Sequence, residues 1–75
     1  MTIRTYIRSK MAEREINQTV LAEKAGFKNQ SNIATLLKSD KGMRTDNLFS
    51  LLEALNCELV IRDRDSGEEK TISRD

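Results

Sequence analysis

The fold is decided by the stretch QTVLAEKAGFKNQSNIA, residues 18–34, in which two short helical patterns are separated by a glycine. Ala22 is small at the position where a second helix must come close to the first. Gly26 can adopt the left-handed backbone angle that ends a helix at little cost. Ile33 can then lock the second helix onto the first. The stretch therefore predicts two helices that meet at a tight turn.

Outward from this core, apolar periodicity predicts two further helices. Ile3, Ile7 and Met11 recur every four residues, which indicates a first helix over Thr2–Arg14. We interpret its Arg4, Arg8 and Arg14 as solvent-facing charges. The two central helices are predicted at Gln18–Ala25, capped by Asn17, and at Gln30–Lys38, capped by Asn29. A fourth helix is predicted at Asp46–Leu55, with Thr45 as its cap and Asn56 as a left-handed stop.

After the fourth helix the pattern changes to that of β structure. The segment Glu58–Arg62 is β-prone, Asp65-Ser66-Gly67 is typical of a turn, and Lys70–Ser73 can form a return strand. Cys57 is assigned to the first strand as an inert buried thiol. The predicted fold class is mainly α, a four-helix bundle with a short C-terminal β-strand or hairpin. We divide the chain into a helical domain at 1–56 and a β element at 57–75.

The outer side of the third helix is unusual for a surface helix. It carries Gln30, Ser31, Asn32 and Thr35, which form hydrogen bonds, and not the mixture of Glu and Lys expected of a merely solvated face. The start of this helix would protrude and could enter a DNA major groove, which is about 12 Å wide. Ordinary solvated polar residues remain the alternative interpretation of this face.

Taken together, these residues resemble the Cro/cI-type (XRE-family) helix-turn-helix of phage and bacterial repressors. The matching positions are Gln18, Leu21, Ala22, Gly26, Phe27, Gln30, Ser31 and Ile33. The resemblance covers about residues 16–55 and implies a lambda-repressor-like fold. The turn from Gly26 to Ile33 is one residue longer than the family's pattern, with the extra residue at Lys28 or Asn29. The β-prone ending resembles HipB-like antitoxins, in which a C-terminal strand pairs across the dimer.

The resemblance also implies which side chains meet DNA. Base contacts would come from the outer face of the third helix, through Gln30, Ser31, Asn32 and Thr35. Phosphate contacts would come from residues around it, namely Gln18, Lys28, Asn29, Lys38, Lys41 and Arg44. An amide side chain can both donate to and accept from the major-groove edge of adenine. Phosphate contacts fix the register of the protein without reading the sequence.

Charge is divided unevenly along the 75 residues, although the net charge is only +1. Residues 1–44 hold nine basic and four acidic side chains, a net charge of +5, and residues 45–75 hold four and eight, a net charge of −4. The first part suits phosphates and the second would be repelled by them. Two soluble surfaces without a nucleic-acid role would show the same division, so charge alone leaves both interpretations open.

Catalysis finds little support in the sequence. The chain has no histidine, which is the commonest general base at neutral pH, and Cys57 has no histidine to activate it. No metal or cofactor motif is visible. The lone cysteine fits a reducing cytoplasm, and no apolar stretch approaches the length of a membrane span. We therefore expect a cytoplasmic protein that is not an enzyme.

Two functions remain open, and both involve a homodimer. One is a sequence-specific repressor whose two copies bind an inverted repeat in double-stranded DNA, with Leu59, Val60 and Ile61 at the dimer interface. The other is an antitoxin that neutralises a toxin protein and represses its own operon. The acidic stretch Asp63–Glu69 would then be the partner surface.

Overall fold

The computed structural model describes residues 1–38 and 42–74, with the backbone alone at residues 30 and 31. Within these residues the chain forms four helices and then an antiparallel hairpin, which confirms the predicted fold class. The elements are α1 at Ile3–Glu13, α2 at Gln18–Ala25, α3 at Gln30–Lys38, α4 at Thr45–Ala54, β1 at Leu59–Arg62 and β2 at Glu69–Ile72. The sequence also predicts a turn at Ser39–Gly42, and most of that segment lies outside the described residues.

Local side-chain and backbone chemistry sets most of the helix ends. The Asn17 side chain accepts a hydrogen bond from the Val20 N–H at 2.9 Å and caps α2, as predicted. Gly26 ends α2 at φ 80°, and Asn56 follows α4 at φ 55°, both in the left-handed region. The prediction of Thr45 as a cap is wrong. Arg44 holds the cap position of α4 without a side-chain cap bond, and Thr45 is the first helical residue.

The helices pack around a continuous aliphatic core. Ile7, Leu21, Ile33 and Leu51 have no exposed surface, so every helix contributes at least one fully buried side chain. Each such side chain contributes about 1.5–3 kcal/mol through removal from water. Val20 and Ala25 of α2 are apolar residues for which the sequence predicts an inward orientation, but both are only half-buried. This shared core packs α3 against the other helices.

The two strands β1 and β2 pair antiparallel in a hairpin. Leu59 pairs with Ile72 and Arg62 with Glu69, and Gly67 takes φ 79° in the connecting turn. β1 begins one residue later than predicted, and β2 begins and ends one residue earlier than predicted. Cys57 was assigned to a strand, which is wrong. It precedes β1, is half-buried, and lies with its Sγ 3.4 Å from the Tyr6 hydroxyl.

Candidate nucleic-acid interface

The turn between α2 and α3 sets how the third helix projects from the bundle. The Phe27 N–H donates to the Ala22 carbonyl at 2.9 Å, which reverses the chain directly after Gly26. Ile33, which is fully buried, then anchors α3 against the core. Leu37 is buried one turn later. Two buried residues four apart leave the opposite side of the same helix free to face outward.

That opposite side is polar and exposed. Asn32, Thr35 and Lys38 are all exposed, so two of the predicted base-contacting side chains and one predicted phosphate contact share this face of α3. The side chains of Gln30 and Ser31, the other two predicted base contacts, lie outside what the structure describes. The exposed face thus presents an amide, a hydroxyl and an ammonium group along one short helix.

A shallow cleft of about 310 Å³ lies beside this face. It is lined by Asn32 and Thr35 of α3 together with Phe27, Leu36 and Asn47. Asn47 belongs to the first turn of α4, and nothing in the local sequence pattern distinguishes it from other helix-start asparagines. The structure brings Asn47 to the same cleft because α4 packs against α2 and shares the apolar core with α3.

The predicted phosphate contacts are spread around α3. Lys28 and Asn29 are exposed in the turn before it, and Gln18 is half-buried at the start of α2. Arg44 is exposed, with its Nε 3.6 Å from the Asp46 carboxylate. Such an exposed ion pair stabilises the fold by at most about 1 kcal/mol and leaves the guanidinium accessible. Lys41 lies outside the described residues.

Arg8 is exposed, as predicted, whereas Arg4 is half-buried, and both side chains also bind α3, which the sequence does not predict. The Arg4 Nε donates to the Leu36 carbonyl at 2.6 Å, and the Arg8 Nη2 donates to the Leu37 carbonyl. Both acceptors lie in the last turn of α3. Periodicity could not reveal these contacts, because a long side chain on one helix finds its acceptor only once the tertiary packing is known.

A family model for the Cro/C1-type HTH DNA-binding domain matches residues 6–60. The match spans all of α2, α3 and α4, most of α1, and the first residues of β1. The chain belongs to the Cro/C1-type HTH family. No curated protein and no solved structure matched the chain significantly. The family consists of DNA-binding domains, so the chain is a protein that binds double-stranded DNA.

Two titrating groups lie away from this interface. The pKa of Tyr6 is raised, first by its hydrogen bond with the Cys57 thiol and then by burial. The pKa of Asp63 is lowered because its carboxylate accepts hydrogen bonds from the backbone N–H groups of Asp65 and Ser66. Across the described residues, no group of three His, Cys, Asp or Glu side chains is arranged to hold a metal ion. None of the described helices has the length and apolar character of a membrane span.

Proposed function

We propose that this chain is a sequence-specific transcriptional regulator that represses a promoter by binding an inverted-repeat operator as a homodimer. The observation that carries the proposal is the polar face of α3. Asn32 and Thr35 are exposed there, opposite the buried Ile33 and Leu37. Amide and hydroxyl groups on a projecting helix can reach base edges in the major groove. The predicted base contacts of Gln30 and Ser31 belong to the same helix.

The phosphate contacts complete the proposed interface. Lys28, Lys38 and Arg44 are exposed near the start of α3, its end and the start of α4. They would hold the backbone on either side of the groove, with Gln18, Asn29 and Lys41 as further contacts. Because Arg44 has no side-chain cap bond to its helix, its guanidinium can approach a phosphate without loss of a capping interaction.

The dimer is proposed to form through β1. The Asp63 N–H donates to the Glu68 carbonyl at 2.8 Å, and the alternation of an antiparallel ladder then directs the backbone polar groups of Val60 to the outer edge of the hairpin. The Val60 and Ile61 side chains are 46% and 57% exposed. An apolar strand with an open edge favours pairing with a second copy.

An apolar groove extends this proposed interface towards α1. It is lined by Leu59 and Val60 of β1 and by Met1, Ile3 and Tyr6 near the amino terminus, among others. Ile3 is 43% exposed, which is high for a large aliphatic side chain. Successive major grooves on one face of DNA lie about 34 Å apart, and in this proposal the two α3 helices of the dimer bind half-sites at that spacing. In this proposal the β element, residues 57–75, serves dimerisation together with the amino-terminal side of the groove, and the rest of residues 1–56 serves DNA binding.

Selection of bound sites from random duplex DNA tests the repressor proposal. We expect an inverted repeat with two half-sites. Thr35→Ala should then weaken the free energy of binding to the selected site by about 1–3 kcal/mol and relax the base preference at one base pair. The matched control is Thr71→Ala, at an exposed threonine of β2. Recovery of no preferred sequence, or equal losses for Thr35→Ala on selected and random DNA, would contradict the proposal.

A second function, that of a HipB-like antitoxin, is favoured by the exposed acidic hairpin. Asp63, Asp65, Glu68 and Glu69 are all exposed and are four of the eight acidic residues of this half of the chain, with Glu69 paired to Arg62 at 2.6 Å. The surface would suit a basic partner protein. The test is expression of the neighbouring reading frame. The antitoxin role is supported if that expression arrests growth and co-expression of this chain relieves the arrest. A variant with all four acidic residues changed to Gln or Asn should then fail to relieve it.

A further inference from the structure

Two arginines of α1 hold the carboxyl end of α3. Arg4 donates through Nε to the Leu36 carbonyl at 2.6 Å, and Arg8 donates through Nη2 to the Leu37 carbonyl. The two arginines are four residues apart, so they lie on the same side of α1. Their acceptors are consecutive residues of α3. Two arginine side chains therefore connect one face of α1 to the carboxyl end of α3.

The acceptors are carbonyls that an isolated helix leaves unpaired. The last four carbonyl groups of an α-helix have no partner within it, and α3 ends at Lys38. These groups also carry the negative end of the helix dipole, where a cation is favourable. The guanidinium groups thus supply both hydrogen-bond donors and positive charge at the same place.

These contacts constrain α3 in a way that the core does not. Ile7 and Met11 of α1 share the apolar core with Ile33 and Leu37, but apolar contact has no direction and permits small rotations of a helix. A hydrogen bond from a planar guanidinium is directional and fixes both distance and angle. Two such hydrogen bonds at one end of α3 would prevent the helix from rotating about its axis.

We propose that Arg4 and Arg8 are positioning residues that fix the orientation of α3 for base recognition. The inference rests on the proposed function, because orientation matters only if α3 reads bases. Thr35 lies within one turn of the fixed carbonyls and Asn32 little more than one turn before them, so a rotation of the helix end would displace both side chains relative to the groove. The arginines would act through α3 and would make no contact with bases themselves.

The first test needs no DNA. We would record the carbonyl ¹³C chemical shifts of Leu36 and Leu37 in the full chain and in the variants Arg4→Met, Arg8→Met and Arg14→Met. Arg14 is exposed at the end of α1 and is the matched control, since its loss removes the same charge. We expect Arg4→Met to shift the Leu36 signal and Arg8→Met the Leu37 signal, with both unchanged in Arg14→Met. If the carbonyl chemical shifts stay unchanged in Arg4→Met and Arg8→Met, the two arginine–carbonyl hydrogen bonds do not form.

The second test measures specificity with the selected site and a random duplex over a range of salt. Arg4→Lys and Arg8→Lys keep the charge but lose the planar fork, and we expect their ratio of selected to random affinity to fall about fivefold or more. Their salt dependence should match that of the wild-type chain. An unchanged ratio would overturn the positioning role. Equal losses on both duplexes with a shallower salt dependence would instead assign the arginines to phosphate binding.

The two tests separate the failure of this inference from the failure of the proposed function. If the wild-type chain selects no sequence, the proposed repressor function fails, and with it the positioning role for base recognition, while the carbonyl shifts still report whether the two contacts exist. Circular dichroism of each variant checks that α-helical content is kept. If the methionine variants unfold, the lysine variants supply the same measurements, because they retain the long stem and the charge.

Discussion

The Arg74 guanidinium donates to the Glu53 carboxylate at 3.0 Å and so connects the end of the hairpin to α4. The same Nη2 lies 3.0 Å from the Ser50 hydroxyl, and the guanidinium carbon lies 6.0 Å from the centre of the Phe49 ring. A two-stranded hairpin alone is at best marginally stable in water. Attachment of its last residues to a packed helix therefore contributes to keeping β2 in place.

Replacement of Arg74 should loosen β2 without unfolding the bundle. We expect Arg74→Ala to increase hydrogen exchange at the amides of β2, while the free energy of unfolding falls by less than about 1 kcal/mol because the ion pair is exposed. The control is Arg64→Ala at the exposed hairpin turn. Equal exchange rates in Arg74→Ala and the wild-type chain would show that the contact does not hold the strand.

A charge on β1 should dissociate the proposed dimer. Val60→Lys places an ammonium group where an apolar interface is expected, and burial of an unpaired charge is costly. Analytical ultracentrifugation should find a monomer, with a steep loss of operator affinity. Thr71→Lys, which adds the same charge directly opposite on β2, should remain dimeric. A Val60→Lys variant that sediments as a dimer would reject β1 as the interface.

Truncation at the centre of the core should destabilise the whole domain. Ile33 has no exposed surface, and Ile33→Ala removes three buried carbon atoms, which should cost roughly 2–5 kcal/mol in a urea titration. That loss is a large part of the stability of so short a chain. The neighbouring exposed change Thr35→Ala should alter the free energy of unfolding by less than about 0.5 kcal/mol. A similar small effect for Ile33→Ala would argue against the observed packing of α3.

The hairpin turn should weaken in acid. Hydrogen bonds from the backbone of Asp65 and Ser66 lower the pKa of Asp63 below its unfolded value. A lowered pKa means that the stabilisation is complete above the unfolded pKa and is lost as the pH falls through the folded pKa. Amide shifts of Asp65 and Ser66 should follow this titration. Asp63→Asn should abolish the response and Asp65→Asn should not, and persistence of the response in Asp63→Asn would assign it to another group.

The helix ends illustrate how far local sequence determines this fold. Asn17 and Gly26 were predicted correctly because a cap and a left-handed stop depend on one side chain and the backbone beside it. Thr45 was misplaced by one residue, since Arg44 can hold an extended cap conformation without any side-chain bond. Boundaries of this kind depend on where packing ends the helix, and residue preference alone does not decide them.

The site was predictable to a lesser extent. Asn32 and Thr35 followed from the helical period, because buried and exposed sides are fixed once Ile33 points inward. The resemblance to a known family supplied their proposed role. The part played by Arg4 and Arg8 could not be predicted, since their acceptors are backbone carbonyls more than 25 residues away in sequence. The position of Asn47 at the cleft could not be predicted either, because it depends on the tertiary packing of α4.

The core has a consequence for how this sequence can diverge. Within the described part of the chain, the buried side chains are all apolar and none is polar or charged. Apolar residues of similar volume can replace one another with modest losses, usually below about 1.5 kcal/mol. Homologues could therefore exchange leucine, isoleucine and methionine throughout the centre while retaining the same architecture. If α3 reads bases as proposed, substitutions on its exposed face could change the DNA target while the buried residues that keep the chain folded stay the same.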